Sequence, residues 1–296
     1  MKVFVTGASG LVGRQLVPRL LRNGTAVTAL VRTQVHFDAA GEGLTVVAGR
    51  IEDAAAVERA AAGCEAVVHL ANASGVTDEA LVHAVNVRGT EHVLAAARVA
   101  GARRIVFTSS ISAMRERLGP YGRSKRIAEE RVRAAGIPFV ILRPSLVYGG
   151  GEAGLVAALA RHLRTLPVMP VIGNGRIALD PVHLSDLCDV IQACLTRDDV
   201  LGHTYDVLGP DRVTLNDFLH RLGSVLGVRR PLLHLPVRPS LLLARLLSGV
   251  MANPPITVDN VLGLTSPARV DRQATLRDFP IAWTPLDVGL RALVTR

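Results

Sequence analysis

KVFVTGASGLVGRQLVPRLLRNG, residues 2–24, joins a β-branched run, a glycine-rich turn and a stretch with apolar residues at helical spacing. A short β-branched run that ends in glycine is typical of a buried strand. The apolar spacing after it predicts a helix that ends at Asn23-Gly24. We therefore expect a strand, a tight turn and a helix, the unit from which parallel α/β sheets are built.

The same alternation recurs through the first half of the chain. Further strands are predicted at TAVTALV, LTVVAG, EAVVHLA, RRIVFTSS and PFVILRPS, and helices at AAAVERAAAG, over 78–100 and from near Tyr121. Six strands that alternate with helices imply right-handed crossovers between parallel neighbours. The predicted fold class is α/β, with a Rossmann-type doubly wound parallel sheet and a smaller C-terminal substrate lobe.

Composition and charge bound the function classes. The 296 residues are 49% apolar and 20% charged, a globular composition, with a net charge of +9. The arginines are scattered without interleaved aromatic residues, which disfavours nucleic acid as a partner and favours a solvated basic surface or an anionic small ligand. No apolar stretch reaches the length of a membrane span and the N-terminus resembles no secretion signal, so we expect a cytoplasmic protein with reduced cysteines.

Three glycines lie between the first strand and the first helix. Glycine allows positive φ and close backbone approach, and the free amide groups at a helix start bind anions. The pyrophosphate of a dinucleotide fits such a turn. The candidate pyrophosphate contacts are Gly7, Ser9, Gly10, Leu11, Val12 and Gly13.

The end of the second strand bears on which dinucleotide is bound. A carboxylate there would accept hydrogen bonds from the ribose and repel a 2′-phosphate, but LVRTQ contains no acid, and none occurs before Asp38. Arg32 offers a charge-assisted contact to phosphate instead, and Arg14 can assist it. We therefore expect NADP(H) in preference to NAD(H); the alternative is that Arg32 is one more solvated arginine.

Residues 1–150 are thus assigned to an NAD(P)-binding Rossmann domain. Beyond Pro144 the alternation loosens into the glycine-rich connection YGGGEAGL, after which helices are predicted near 152–165, 184–196, 214–226 and 285–294. Residues 151–296 are predicted to form a substrate-binding lobe, some strands of which can return to the main sheet.

A tyrosine and a lysine four positions apart form the candidate reaction centre. Only two of the 34 basic residues are lysines, and Lys125 is one of them. Tyr121 and Lys125 would share one helix face, where the ammonium would lower the phenol pKa from its usual value of about 10. Ser110, at the carboxyl end of the fifth strand, can orient a substrate oxygen. The three residues predict proton transfer; the alternative is a helix-start tyrosine beside a surface lysine.

Several motifs occur together in a recognisable order. TGASGLVG, VVHLA, VNVRGTEHVLAAA, VFTSS, YGRSK and LRPSLVYG follow one another over residues 1–150, and PVHLSD follows near 181–186. The chain thereby resembles the extended and atypical short-chain dehydrogenase/reductase superfamily, which includes NAD-dependent epimerases and dehydratases. Within it, the chain is most similar to NDUFA9-like NAD(P)-binding proteins, related to a subunit of respiratory complex I.

The resemblance implies roles for individual residues. Ser110, Tyr121 and Lys125 would form the catalytic triad, and Tyr121 and Lys125 would also contact the cofactor, with Lys125 at the nicotinamide ribose. The family's motif asparagine matches Asn86, with a role that is more structural than chemical. The other implied cofactor contacts border the nicotinamide or the adenosine: Pro144, Ser145 and Leu146 for the former, Leu70 and Ala71 for the latter.

Three departures from the family pattern bear on the ligands. Gly49-Arg50 stands where the family often has Gly-Asp, which removes the acid of the usual adenine contact. Only eleven positions separate Ser110 from Tyr121, and Leu179 stands where nucleotide-sugar epimerases tend to carry arginine. A nucleotide-sugar substrate is therefore disfavoured.

The segment RPSLLLARLLSGVM, residues 238–251, would be apolar around nearly its whole circumference as a helix. This favours a buried lobe helix or a dimer contact over a lid on a lipophilic substrate or a membrane-surface contact. We expect a monomer or a homodimer with no membrane span.

The sequence thus predicts an NAD(P)-dependent oxidoreductase that transfers a hydride between nicotinamide and a carbonyl or secondary alcohol of a small substrate. A first rival is a non-catalytic NAD(P)H-binding redox sensor or complex assembly protein, which would need no Ser, Tyr and Lys set. A second rival is an epimerase or dehydratase that regenerates its own cofactor and shows no net use of added NADPH.

Overall fold

The central sheet of the computed structural model, which describes residues 1–32, 37, 43–150, 154–251, 254 and 256–293, is fully parallel. Its seven strands are β1 Lys2–Thr6, β2 Ala26–Val31, β3 Leu44–Ala48, β4 Ala66–His69, β5 Arg104–Thr108, β6 Phe139–Pro144 and β11 Thr204–Val207. Their order is β11-β6-β5-β4-β1-β2-β3. The order reverses between β1 and β4, where a doubly wound sheet binds ligands at its carboxyl edge. The predicted α/β class and doubly wound sheet are confirmed.

Helices surround the sheet and build the C-terminal part. In the described residues they are α1 Leu11–Arg22, α2 Ala54–Ala61, α3 Glu79–His83, α4 Gly89–Val99, α5 Pro120–Arg133, α6 Leu155–Thr165, α7 Leu184–Thr196, α8 Leu215–Val225, α9 Val237–Val250, α10 Val258–Thr265, α11 Arg272–Asp278 and α12 Leu286–Arg291. The single long helix predicted over 78–100 is wrong in detail, because a π-helical turn at Ala84–Arg88 joins α3 to α4.

Three short strand pairs lie outside the main sheet. They are β7 Val147–Tyr148 with β10 Val182–His183, β9 Ala178–Leu179 with β12 Val213–Thr214, and β8 Met169–Ile172 with β13 Leu232–Leu235. Because β7 directly follows β6, the pair of β7 and β10 lies at the carboxyl edge of the sheet.

The two faces of the sheet carry separate apolar layers. Val3 and Val5 pack with side chains of α1 and α7 on one face, while Phe4, between them in sequence, packs with side chains of α2, α4 and α5 on the other. Strands buried on both faces are typical of parallel sheets. A third apolar cluster joins α6, α8 and α12 in the C-terminal part.

Helix α9 departs from the burial expected of it. Its buried residues are Ser240 and Ala244, whereas Leu242 and Leu246 are 59% and 62% exposed. The prediction of a helix buried within the lobe is therefore wrong for this chain taken alone. In the described part of the chain, no helix combines the length and apolar character that a bilayer crossing requires.

Candidate active site

The turn between β1 and α1 and the first turn of α1 each contain a position that has room only for glycine. Gly7 has a φ of +68°, and a β-carbon on it would lie 2.6 Å from the amide nitrogen of Ala71. A β-carbon on Gly13 would lie 2.4 Å from the carbonyl oxygen of Gly7. Gly10 precedes α1 without a side-chain cap, so the first amide groups of the helix can bind an anion.

The segment after β4 lies against this turn. Leu70 and Ala71 are the residues that crowd Gly7, and the Ala71 amide donates to the Thr6 hydroxyl at 3.2 Å. Asn86, in the π-helical turn, accepts from the Ala73 amide at 2.7 Å and donates to the Ser124 hydroxyl at 2.9 Å. Asn86 therefore ties the segment after β4 to helix α5, which is the structural role expected of it.

Lys125 is buried, with 1% of its surface exposed. Its ammonium donates to the carbonyl oxygen of Thr108 at 2.7 Å and lies 4.5 Å from the ring centroid of Phe107. Burial lowers the pKa of Lys125 to about 7, and the nearby Glu129 carboxylate acts in the opposite direction. The only lysine of α5 therefore faces the carboxyl end of β5 and titrates near neutrality.

Ser110 and Tyr121 meet through their side chains. The Ser110 hydroxyl accepts from the Ser112 amide at 3.1 Å and is hydrogen-bonded to Tyr121. Burial raises the pKa of Tyr121 to about 12; the hydrogen bond with Ser110 lowers it and the Asp259 carboxylate raises it. The predicted net lowering of the Tyr121 pKa is therefore wrong, because desolvation outweighs the groups that lower it, and the phenol is protonated at neutral pH.

Asp259, on α10, is a residue of this site that the sequence did not reveal. Its carboxylate accepts from the Tyr121 amide at 3.2 Å, across 138 positions of sequence. The residue before α5 is Gly119, on which a β-carbon would lie 2.1 Å from a carboxylate oxygen of Asp259. Asp259 thus replaces a local cap at the positive end of α5. Burial raises the pKa of Asp259, against the opposing effect of the Tyr121 amide.

Glu129 anchors the other end of the same helix face. It accepts from the Ser109 hydroxyl at 2.6 Å and from Arg143 Nε at 2.8 Å. Burial would raise the pKa of Glu129, but the hydrogen bonds from Arg143 and Ser109 outweigh it and the pKa is lowered. Its spacing of four from Lys125 is the signal that sequence reasoning missed.

The residues proposed beside the nicotinamide lie where β6 leaves the sheet. Pro144 ends β6, the Ser145 amide donates to Val207 at 3.1 Å, and the Leu146 carbonyl accepts from Val182 at 3.0 Å. These three residues therefore connect the β6 and β11 edge of the main sheet to β10, which lies outside it.

The proposed 2′-phosphate contacts are not assembled into one group. Arg32 is exposed just beyond β2, whereas Arg14 Nε donates to the Ser9 carbonyl at 2.9 Å. Arg50, at the departure from the family pattern, pairs with Glu52 at 2.9 Å. Asp38 lies outside the described residues. Within those residues, no cluster of three or more His, Cys, Asp or Glu side chains is placed to hold a metal ion.

Comparison with known proteins gives two reductases as relatives. The chain is 33% identical over 238 residues to ceramide reductase from Caulobacter vibrioides, covering 79% of this chain and 73% of that protein. It is 30% identical over 259 residues to 2-alkyl-3-oxoalkanoate reductase from Stenotrophomonas maltophilia, covering 78% of this chain and 77% of that protein. The special closeness to NDUFA9-like proteins is tested by neither comparison and stays a prediction.

A solved structure extends the likeness to the C-terminal part. UDP-glucuronic acid 4-epimerase from Bacillus cereus, in complex with UDP-glucuronic acid and NAD, matches with a TM-score of 0.78 at 19% identity, covering 99% of this chain and 97% of that chain. At this identity the likeness shows the fold alone.

The family is shown by a match that spans the whole central sheet. Residues 3–207, from β1 to the end of β11, match the family model described as "NAD dependent epimerase/dehydratase family". With this match and the reductases among its relatives, the chain belongs to the NAD-dependent epimerase/dehydratase family of NAD(P)-dependent enzymes.

Proposed function

We propose that this chain is an NAD(P)H-dependent reductase of an oxo group on a lipophilic, alkyl-bearing substrate. The observation that carries the proposal is the buried Lys125 on α5, one turn after Tyr121, whose ammonium donates to the carbonyl oxygen of Thr108 two residues before Ser110. A tyrosine with a pKa of about 12 is protonated at neutral pH. A protonated phenol donates to a carbonyl oxygen, and the reductase names of the two relatives favour this direction over a first proton abstraction.

Carbonyl reduction adds a hydride to the carbon and a proton to the oxygen. The nicotinamide, when bound, supplies the hydride. The Ser110 hydroxyl orients the carbonyl oxygen, and Tyr121 gives it the proton. Lys125 lies one helical turn away and has a pKa of about 7. When its amine is protonated, Lys125 stabilises the phenolate that Tyr121 becomes after donating its proton.

The substrate class follows from the relatives and from the lobe. The two reductases named above act, by their names, on a ceramide and on 2-alkyl-3-oxoalkanoates. Leu179 stands where nucleotide-sugar epimerases tend to carry arginine, and it is buried in the apolar cluster of the C-terminal part. An apolar residue at this position favours a substrate with an alkyl chain over one with a nucleoside diphosphate. A 3-oxo compound with an alkyl substituent is the proposed substrate class.

NADPH is the proposed cofactor form, because Arg32 is exposed at the end of β2. Replacing Arg32 by alanine should weaken NADPH binding by about 10-fold or more, the usual loss for a hydrogen bond to a charged group, with NADH binding unchanged. Fluorescence titration measures both affinities, and Arg59→Ala, an exposed arginine on α2, is the control. Tighter NADH binding that Arg32→Ala does not change would remove this part of the proposal.

The reductase proposal is tested by following NADPH and NADH consumption with 2-alkyl-3-oxoalkanoates of increasing chain length. We expect one alcohol formed per NADPH consumed, with the product identified by mass spectrometry. Dinucleotide binding without turnover on any oxo compound would favour the redox-sensor alternative. Tightly held dinucleotide with isomerised product and no net consumption would favour the epimerase alternative.

A further inference from the structure

Exposed hydrophobic side chains are concentrated in one segment of the described chain. Seven of the fourteen large exposed hydrophobic residues lie in the nineteen positions from Leu233 to Met251. Single exposed apolar residues are ordinary on a protein surface, but a contiguous group marks an interaction surface. This segment is therefore the strongest candidate for an unassigned contact.

The exposed residues form one side of helix α9. Leu242, Leu246 and Val250 follow one another at intervals of four, with exposures of 59%, 62% and 81%. Leu243, 50% exposed, lies beside them. On the opposite side Ala244 packs against α10 with no exposure. The helix thus packs on the protein through Ser240 and Ala244, with Val237 and Leu241 partly buried beside them, and the four exposed residues face outward.

The segment and the few residues before it carry only positive formal charge. Residues 229–251 contain no aspartate or glutamate, and their arginines are Arg229, Arg230, Arg238 and Arg245. Arg238 and Arg245 are exposed on α9 itself, four positions before and three after Leu242. An apolar helix face bordered by arginine is the pattern of helices that lie in the interface of anionic membranes.

We propose that α9 docks flat on an anionic lipid surface, with Leu242, Leu243, Leu246 and Val250 among the acyl chains and Arg238 and Arg245 at the lipid phosphates. A second copy of this chain fits less well, because a two-fold contact through this face would bring arginines together with no acid in the segment to pair them. Lipid phosphate supplies the negative charge that the segment lacks.

The docked surface would lie beside the segment that joins β4 to α3. The C-terminal end of α9, residues 248–251, lines a cavity of about 330 Å³ together with Thr77 and Asp78. Those two residues belong to the segment between β4 and α3, and the Asp78 carboxylate is already engaged by the Ala80 amide at 2.9 Å. A lipid surface under α9 would therefore adjoin the loop that follows Leu70 and Ala71.

The proposal is tested by co-sedimentation with vesicles of equal parts phosphatidylglycerol and phosphatidylcholine, and with vesicles of phosphatidylcholine alone. We expect binding to the anionic vesicles that weakens in high salt. Leu242→Ser with Leu246→Ser, and separately Arg238→Gln with Arg245→Gln, should each weaken binding by about 10-fold or more. Val99→Ser with Val288→Ser, which changes two exposed apolar residues elsewhere, should leave it unchanged.

Thermal unfolding and NADPH titration of every variant show whether it is folded, independently of the lipid result. Absence of wild-type binding to anionic vesicles would overturn the proposal, as would equal binding by all variants. A dimer in sedimentation velocity that Leu242→Ser with Leu246→Ser dissociates would assign the face to a second copy and overturn it as well. None of these readouts depends on turnover, so the proposal stands or falls separately from the reductase function.

Discussion

Helices α5 and α9 each contain 14 residues, but α5 buries charged side chains whereas α9 exposes apolar ones. Helix α5 buries Lys125 and Glu129 to 1% exposure, whereas α9 leaves Leu246 62% exposed. Charged side chains are ordinarily exposed and large apolar faces are ordinarily buried, so a buried charge and an exposed apolar face both call for an explanation. Each of the two therefore marks a place where packing alone does not explain the residue.

The buried charge and the exposed apolar face have different effects on the stability of the fold. A buried ammonium loses its hydration and is tolerated only with partners, which here are the Thr108 carbonyl and the Phe107 ring. An exposed leucine neither gains nor loses much when the chain folds. Substitutions in α5 should therefore change chemistry and stability, and those on the outer face of α9 should change neither.

The largest effect is expected from Lys125→Met, which keeps the length of the side chain and removes its charge. Reductase activity should fall by about 10²-fold or more, because the phenolate left by Tyr121 loses its stabilising cation. The measurement is kcat/KM for NADPH-dependent reduction. Lys2→Met, which changes the other lysine, should behave as wild type, and an unchanged rate in Lys125→Met would reduce Lys125 to a structural residue.

The same variant has a stability signature with a defined sign. Lys125 has a pKa of about 7 in the folded protein against an ordinary value of 10.5, so between these two pH values the unfolded chain binds more protons. Wild-type stability relative to Lys125→Met should therefore rise with pH across that window, by about 1.4 kcal/mol per unit at most, and should be lowest below pH 7. Denaturant unfolding at several pH values measures it; a pH-independent difference would contradict the burial of the ammonium.

Stability separates the outer face of α9 from a buried helix of the same C-terminal part of the chain. Leu222→Ala on α8, where the side chain has no exposure, should cost about 2–5 kcal/mol of unfolding free energy. Leu242→Ala should change it by less than about 0.5 kcal/mol. Urea unfolding of both variants checks the contrast; a large loss in Leu242→Ala would mean that this leucine is buried in solution.

A smaller effect is expected from Asp259, which joins the C-terminal part to α5. Asp259→Ala removes the cap, a loss of about 0.5–2 kcal/mol, and should lower kcat by roughly 10-fold through a misplaced Tyr121. Asp259→Asn keeps an acceptor for the Tyr121 amide but removes the charge that raises the phenol pKa. It should retain most of kcat.

The pH profile distinguishes placement from electrostatics. The charged groups around Asp259 are Arg123 and Glu79, and neither is changed in these variants. In Asp259→Asn the alkaline limb that reports loss of the Tyr121 proton should move to lower pH, because the raising carboxylate is gone. Identical profiles and rates in wild type, Asp259→Ala and Asp259→Asn would leave Asp259 without a role at the site.

The sheet was predictable because its information is local. Each strand from β1 to β6 is an apolar run bounded by turn residues, and the glycine turn is recognisable from nine consecutive residues. Ser110, Tyr121 and Lys125 could be singled out for the same reason, since they lie within sixteen positions, and their joint role in catalysis stays a prediction.

The features that could not be predicted from the sequence depend on contacts between distant residues or on desolvation. Asp259 meets Tyr121 across 138 positions, and no spacing rule reaches that far. The direction of the Tyr121 pKa depends on burial, which outweighs the favourable neighbours that the motif suggests. The exposure of α9 was missed because an apolar helix is ordinarily buried, and only the packing of Ala244 shows which side faces inward.

The central claim is that the Tyr121 phenol gives the proton in carbonyl reduction, and one substitution tests it most directly. Tyr121→Phe should lower kcat/KM for NADPH-dependent reduction by about 10²- to 10⁴-fold, with NADPH affinity unchanged. Tyr205→Phe, which removes a phenol hydroxyl from β11, should retain the wild-type rate. A Tyr121→Phe enzyme as fast as Tyr205→Phe would contradict the account.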